Sequence, residues 1–150
     1  MEEFMKVIRE TIQLFDDFLP LEETKLKHAQ EQNLTGLENC MTQEQAVVMK
    51  LRGLENKRAA AQKKLGWEGK TFREILELVP EDTKAEFRAL YEQLTLSMNL
   101  FREANESAMK TVKVHLREID RVIESKKGDG TYSPDGQSPE TKSHLTNQKV

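Results

Sequence analysis

The chain has little of the chemistry on which many small folds rely: its 150 residues include one cysteine, one tryptophan and two tyrosines. Cys40 has no second cysteine with which to form an internal disulfide, so we predict that it is a small buried apolar side chain. No apolar run approaches the roughly 20 residues of a membrane span. The N-terminus also lacks the basic-then-apolar order of a secretory signal. We therefore expect a cytoplasmic protein with no membrane insertion.

Charge of one sign is also scarce. Charged residues make up 33% of the chain, yet both signs are interleaved to a net charge of only -3. No basic stripe is available for a polyanion, so we predict no nucleic-acid binding. A mean hydropathy of -0.70 is low for a compact core and favours an elongated shape.

Patterns typical of enzymes are missing as well. The sequence has no glycine-rich phosphate loop, no nucleophile with a plausible base and no inward carboxylate pair that spacing alone identifies. A di-iron bundle needs Glu-x-x-His, whereas His115 and Glu118 occur once and in the reverse order. We predict no catalytic activity, no metal and no cofactor.

What the chain does have is helical periodicity in two long stretches. Apolar residues recur every three or four positions from 26 to 65 and again from 87 to 122, which places one stripe on one face of each helix. Runs of this length make rods of roughly 60 Å at about 1.5 Å per residue. The pattern predicts a long antiparallel helical hairpin whose apolar faces meet each other and a partner.

Proline and glycine suggest where the helices begin and end. A first, short helix carries Phe4, Ile8, Ile12, Phe15 and Leu19, and we predict that it ends or kinks at Pro20. The first rod is then expected to run continuously over residues 21–65. Gly36 and Gly53 are weak points in it, and a capping-box pattern leaves open a break near Met41.

A second set of signals marks the connection. Thr71 and Glu74 form a capping-box pattern that begins a short helix, and Pro80 suits the first turn of the second rod, which we expect to end near Lys126. The predicted fold is therefore all-α, an elongated antiparallel hairpin or bundle of two long helices with a short N-terminal and a short connecting helix. Its domains are a helical region, 1–127, and a tail, 128–150, whose polar composition predicts disorder.

Apolar residues widen their arc late in the second rod. Beyond Met98 they cover more of the helix than one neighbouring helix needs, and methionine adapts well to varied partners. This distribution predicts a groove for an amphipathic helix of another protein. The alternative is that the N-terminal helix packs on this arc, either permanently or until a ligand displaces it.

Three segments, taken in order, resemble the FlgN family of flagellar export chaperones. They are CMTQEQAVVMKLRGLENKR from Cys40, GWEGKTFREIL from Gly66 and GTYSPDGQ from Gly130. The resemblance covers about residues 21–137. This chain departs from the family where a second asparagine often follows the first by three positions, because Asn105 is followed here by Ala108.

The resemblance implies a non-enzymatic cytoplasmic chaperone. It would bind the terminal helices of flagellar hook-filament junction proteins, prevent their premature assembly and deliver them to the cytoplasmic domain of the flagellar type III export gate. We assign cargo binding to eight residues of the second rod: Met98, Phe101, Asn105, Met109, Val112, Leu116, Ile119 and Ile123. Tyr132, the one aromatic in the tail, is assigned to the gate.

A second class of function stays open at this point. The same stripes would suit a structural coiled-coil adaptor that forms a permanent homo-oligomer. The sequence leaves open whether the free protein is a monomer or a homodimer, and which junction protein it prefers.

Overall fold

The computed structural model describes residues 1–128 of the chain. Four helices follow one another in these residues, α1 (Glu2–Gln30), α2 (Leu34–Lys64), α3 (Phe72–Leu78) and α4 (Glu81–Gly128). The predicted all-α class is confirmed. The predicted disordered tail lies outside the described residues, except for Gly128, which still belongs to α4.

The N-terminal helix is much longer than predicted. α1 passes through Pro20 and continues for ten residues beyond it. A proline inside a helix costs about 3 kcal/mol through its missing N–H and its ring. Phe18, Glu22, Lys25 and Ala29 are buried on one face at helical spacing, and the apolar burial of Phe18 and Ala29 on either side of Pro20 offsets this cost.

The first predicted rod, 21–65, is wrong as a continuous helix, because the chain turns at residues 31–33. Gln32 adopts a left-handed conformation with φ of 54°. Asn33 then caps α2, its side chain accepting a hydrogen bond from the Gly36 N–H at 3.0 Å. No break occurs near Met41, which lies inside α2.

Gly36 allows α1 and α2 to approach closely just after this turn. A Cβ atom at Gly36 would lie 2.5 Å from Nδ1 of His28, so the histidine ring would have to move to admit any other residue there. The two helices then run antiparallel, as ion pairs at both ends indicate: Lys64 Nζ lies 3.0 Å from Glu3, and Lys25 pairs with Glu44.

Three long helices, rather than two, build the packed unit, which spans Met1–Thr111. α4 runs parallel to α1. The contacts between them follow one another in the same order along both helices: Phe4 with Phe87, Asp16 with Ser97, Phe18 with Phe101 and Lys25 with Asn105. A second unit begins at Val112, and the structure describes its helical residues 112–128.

The main core lies at the end of the packed unit that holds the chain's N-terminus. Its buried members come from all four helices and from the turns on either side of α3: Phe4, Met5, Ile8, Ala61, Trp67, Ile75, Val79, Phe87 and Leu90. The predicted capping box of Thr71 and Glu74 is present and begins α3. Through Ile75, α3 closes this end of the bundle.

Candidate partner-binding site

A cluster of four polar side chains, Glu22, Lys25, Glu44 and Asn105, lies where α1, α2 and α4 meet. We call it the polar cluster. Lys25 is 2% exposed and donates hydrogen bonds to Glu44 and, at 3.0 Å, to Oδ1 of Asn105. Glu22 is 1% exposed, and its Oε2 lies 2.7 Å from Lys25 Nζ. The two carboxyl groups come from different helices, α1 and α2, so spacing along the sequence could not identify this pair.

The electrostatics of the polar cluster follow from burial. Loss of solvent, reinforced by the neighbouring carboxyl group of Glu44, raises the pKa of Glu22 to about 7. Burial lowers the pKa of Lys25, but its close pairing with the carboxyl groups of Glu22 and Glu44 outweighs that effect, and the pKa rises. Burial, together with the charge of Glu44, raises the pKa of the Cys40 thiol. Cys40 is buried, as predicted.

The raised pKa of Glu22 gives a pH dependence with a definite sign. In the unfolded chain this carboxyl loses its proton near its ordinary value of 4.5, whereas the folded protein keeps the proton until about pH 7. Stability therefore falls as pH rises from about 4.5 to 7, by about 2–3 kcal/mol. Urea unfolding at pH 5 and pH 8 measures the difference.

Matched variants isolate this effect from other titrating groups. Glu22→Gln should flatten the fall, whereas Glu23→Gln, which changes an exposed neighbour, should leave it intact. Glu55 and Glu74 do not interfere, because their pKa values are lowered and the stability they contribute is lost only as pH falls below about 4.5. An equal slope in both variants would contradict the assignment to Glu22.

An apolar groove lies between α2 and α4, with α1 as its floor. It contains two cavities in the packed unit, one of about 500 Å³ and one of about 210 Å³. The larger is lined by residues that include Phe15, Leu51, Leu94 and Met98. A groove of this kind between packed helices can bury apolar side chains of a partner's helix.

Three of the predicted contact residues line this groove. Met98 is exposed beside the larger cavity, while Phe101 and Asn105 line the smaller one. Phe101 also packs against the rings of Phe15 and Phe18, and Asn105 accepts the hydrogen bond from Lys25, so both contribute to the bundle. Met109 is 40% exposed and lines none of these cavities.

The other four predicted contact residues lie in residues 112–128. Val112, Leu116, Ile119 and Ile123 are spaced by four, three and four positions, so they share one face of the helix. We call them the late stripe. Leu116 is 50% exposed and Ile123 is 46% exposed, while Val112 and Ile119 are half-buried. Val114, on the other side of the helix, is 51% exposed.

Sequence reasoning missed the α1 and α2 walls of the groove. α2 contributes Val47, Val48 and Leu51, and α1 contributes Leu14, Phe15 and Phe18. One signal was available on α2, where Leu34, Met41 and Val48 recur every seven residues and are all exposed. The α1 wall was missed because no local pattern shows that these residues, which lie within the predicted first helix, face α2 and α4 across a groove.

The remaining predictions are placed as follows. His115 Nδ1 lies 3.2 Å from Glu118, and residues 1–128 contain no group of three or more acidic, histidine or cysteine side chains arranged to hold a metal ion. Within the same residues no helix is long and apolar enough to cross a membrane.

The N-terminal helix places Phe4 and Ile8 in the main core and Phe15 against Phe101, all within the packed unit. Tyr132 lies outside the described residues.

Comparison with known proteins gives one match. A family model described as FlgN protein matches residues 1–140. No curated protein and no solved structure matches the chain.

Proposed function

Because the chain belongs to the FlgN family of flagellar export chaperones, we propose that it binds the terminal amphipathic helices of hook-filament junction proteins in the cytoplasm. In this role it prevents their premature assembly and delivers them to the flagellar type III export gate. Its contribution is binding rather than catalysis.

The late stripe is the observation that carries this proposal. Leu116 and Ile123 present large apolar side chains that are about half exposed, on a helix whose other faces are mostly charged. Burying one such side chain completely contributes about 1.5–3 kcal/mol. A few of them support an affinity that is useful yet reversible, and a chaperone that must release its cargo needs reversibility.

The packed unit offers contacts of the same kind. Met98 and Met109 are exposed, and their unbranched thioethers adapt to differently shaped partners. Phe101 and Asn105 present only part of their surface, because each also supports the bundle. We therefore assign the cargo contact to the late stripe together with Met98, Phe101, Asn105 and Met109.

The substitution Leu116→Asp tests the cargo surface. An aspartate there removes apolar burial and places a charge in the contact, so we expect the dissociation constant for a hook-filament junction protein to rise at least about 100-fold. Val114→Asp is a closely matched control, because the exposure and the charge change are nearly the same while the position is about 160° away around the helix. Calorimetric titration measures both. Equal affinities in both variants would remove the late stripe from the cargo surface.

We assign gate association to Tyr132, because a single aromatic among small polar residues can anchor a short segment in a pocket. Tyr132→Ala should leave cargo affinity unchanged and reduce secretion of the junction protein. Secretion at the normal level would contradict the assignment. The control is Ser133→Ala, a change at the neighbouring position that leaves the Tyr132 ring in place, and secretion of the junction protein is compared in cells that carry either variant.

A further inference from the structure

The smaller cavity of the groove combines apolar walls with one acidic end. Its volume is about 210 Å³, and seven apolar side chains from all three long helices form its walls: Leu14, Phe15, Phe18, Val47, Val48, Leu51 and Phe101. Glu22, Glu44 and Asn105 form the polar end. A purely apolar anchor would match the walls but not this end.

The polar end of the cavity has more hydrogen-bond acceptors than hydrogen-bond donors. Lys25 donates to Glu44 and Asn105, and it lies 2.7 Å from Oε2 of Glu22 without hydrogen-bond geometry. This oxygen receives no hydrogen bond from the described residues, although Glu22 is 1% exposed. Two carboxyl groups face one ammonium group, so the polar cluster carries a surplus negative charge when both are ionised.

We propose that this cavity receives a lysine or arginine side chain from the bound partner's helix. Its aliphatic stem lies against the apolar walls, and its cationic head lies at Glu22 and Glu44. The inference rests on the proposed function for the source of the helix, and it adds a requirement that the partner's helix carry a basic residue within its apolar face.

The chemistry of the cavity favours a cation over other occupants. An aliphatic side chain would leave Oε2 of Glu22 buried without a hydrogen-bond donor, which is costly for a carboxylate. An acidic side chain would add a third negative group. A basic side chain supplies the missing donor and the missing charge, and its four- or three-carbon stem suits apolar walls.

Small probes test the cavity without any cargo. n-Butylammonium reproduces the lysine side chain, and 1-butanol is a neutral probe of similar size and shape. Added to the full chain at pH 8, where Glu22 is ionised, n-butylammonium should shift the methyl NMR signals of Val47, Val48 and Leu51 saturably. We expect its dissociation constant to be at least about tenfold below that of 1-butanol, because a charge-assisted hydrogen bond is worth roughly that factor or more. Equal binding of both probes, or no shift at these residues, would overturn the proposal.

A variant pair locates the preference. Glu44→Gln removes the surplus charge and should abolish the tenfold preference, whereas Glu38→Gln, at an exposed position of the same helix, should keep it. If Glu44→Gln still binds n-butylammonium about tenfold more tightly than 1-butanol, the proposed cation site in this cavity is contradicted. The wild-type comparison of the two probes decides the matter even where Glu44→Gln does not fold.

Failure of this inference is distinguishable from failure of the proposed function. The probe comparison requires no junction protein, and Leu116 does not line the cavity. Loss of cargo binding in Leu116→Asp together with equal binding of both probes would leave the chaperone function standing and remove the basic-side-chain site.

Discussion

Lys25→Met should lower the free energy of unfolding by about 3–5 kcal/mol, because breaking a buried charge cluster from one side leaves uncompensated charge. Lys25 is 2% exposed and is the cation that faces Glu22 and Glu44. Methionine keeps most of the side-chain volume, so the loss is electrostatic rather than a cavity effect. Denaturant unfolding at pH 7.5 measures it.

Two companion variants separate this explanation from simple loss of a surface charge. Lys27→Met, on an exposed position of the same helix, should change stability by less than about 0.5 kcal/mol. The double variant Lys25→Met with Glu22→Gln should recover part of the loss, since it removes one unpaired carboxylate. A loss below about 1 kcal/mol in Lys25→Met would show that the polar cluster is well solvated.

Phe4→Ala should destabilise the protein by about 3–5 kcal/mol, the usual range for deleting a buried aromatic ring. Phe4 is 0% exposed. Its ring is stacked on Phe87 with centroids 5.6 Å apart and meets the edge of Trp67 at 5.7 Å. Removing it therefore weakens the packing of α1 on both α4 and the α2–α3 turn, because this one side chain contacts both.

Phe15→Ala provides the comparison for Phe4→Ala. Phe15 lies on the same helix but is only partly buried at the groove, so we expect roughly half the loss. Fluorescence of Trp67, the single tryptophan, reports unfolding in both variants. Equal losses at the two positions would mean that the main core is not centred on Phe4.

Signals that depend on neighbouring residues were readable from the sequence. The pairing of Thr71 with Glu74 predicted a helix start, and it is present because both partners lie within one turn. The periodic apolar residues of the second rod predicted α4, whose Phe87 and Leu90 are buried. Such patterns predict local structure since backbone geometry alone brings these residues together.

Features that depend on distant residues were not readable. Pro20 is tolerated because α1 buries Phe18 and Ala29 on either side of it, a balance that only the packed bundle settles. The turn at residues 31–33 has a local signal in Asn33, a good N-cap, but the apolar stripe continued across it and favoured one rod. Parallel packing of α1 on α4 has no local signature.

In the candidate site, too, features set by spacing along one helix were predicted, and features that need two helices were not. Spacing along α4 predicted Met98 and Phe101, which line the groove, and the late stripe, whose Leu116 and Ile123 are exposed. The acidic end of the smaller cavity was missed because Glu22 and Glu44 come from different helices. A charged residue at helical spacing looks like a solvated face until the neighbouring helix is in place.

Amide hydrogen exchange with and without a hook-filament junction protein tests the central claim most directly. The account predicts a defined complex in which exchange slows across residues 112–128 and around Met98–Met109, while the main core around Phe4 is unchanged. A junction protein that forms no complex, or a complex that leaves residues 112–128 exchanging as in the free protein, would contradict it.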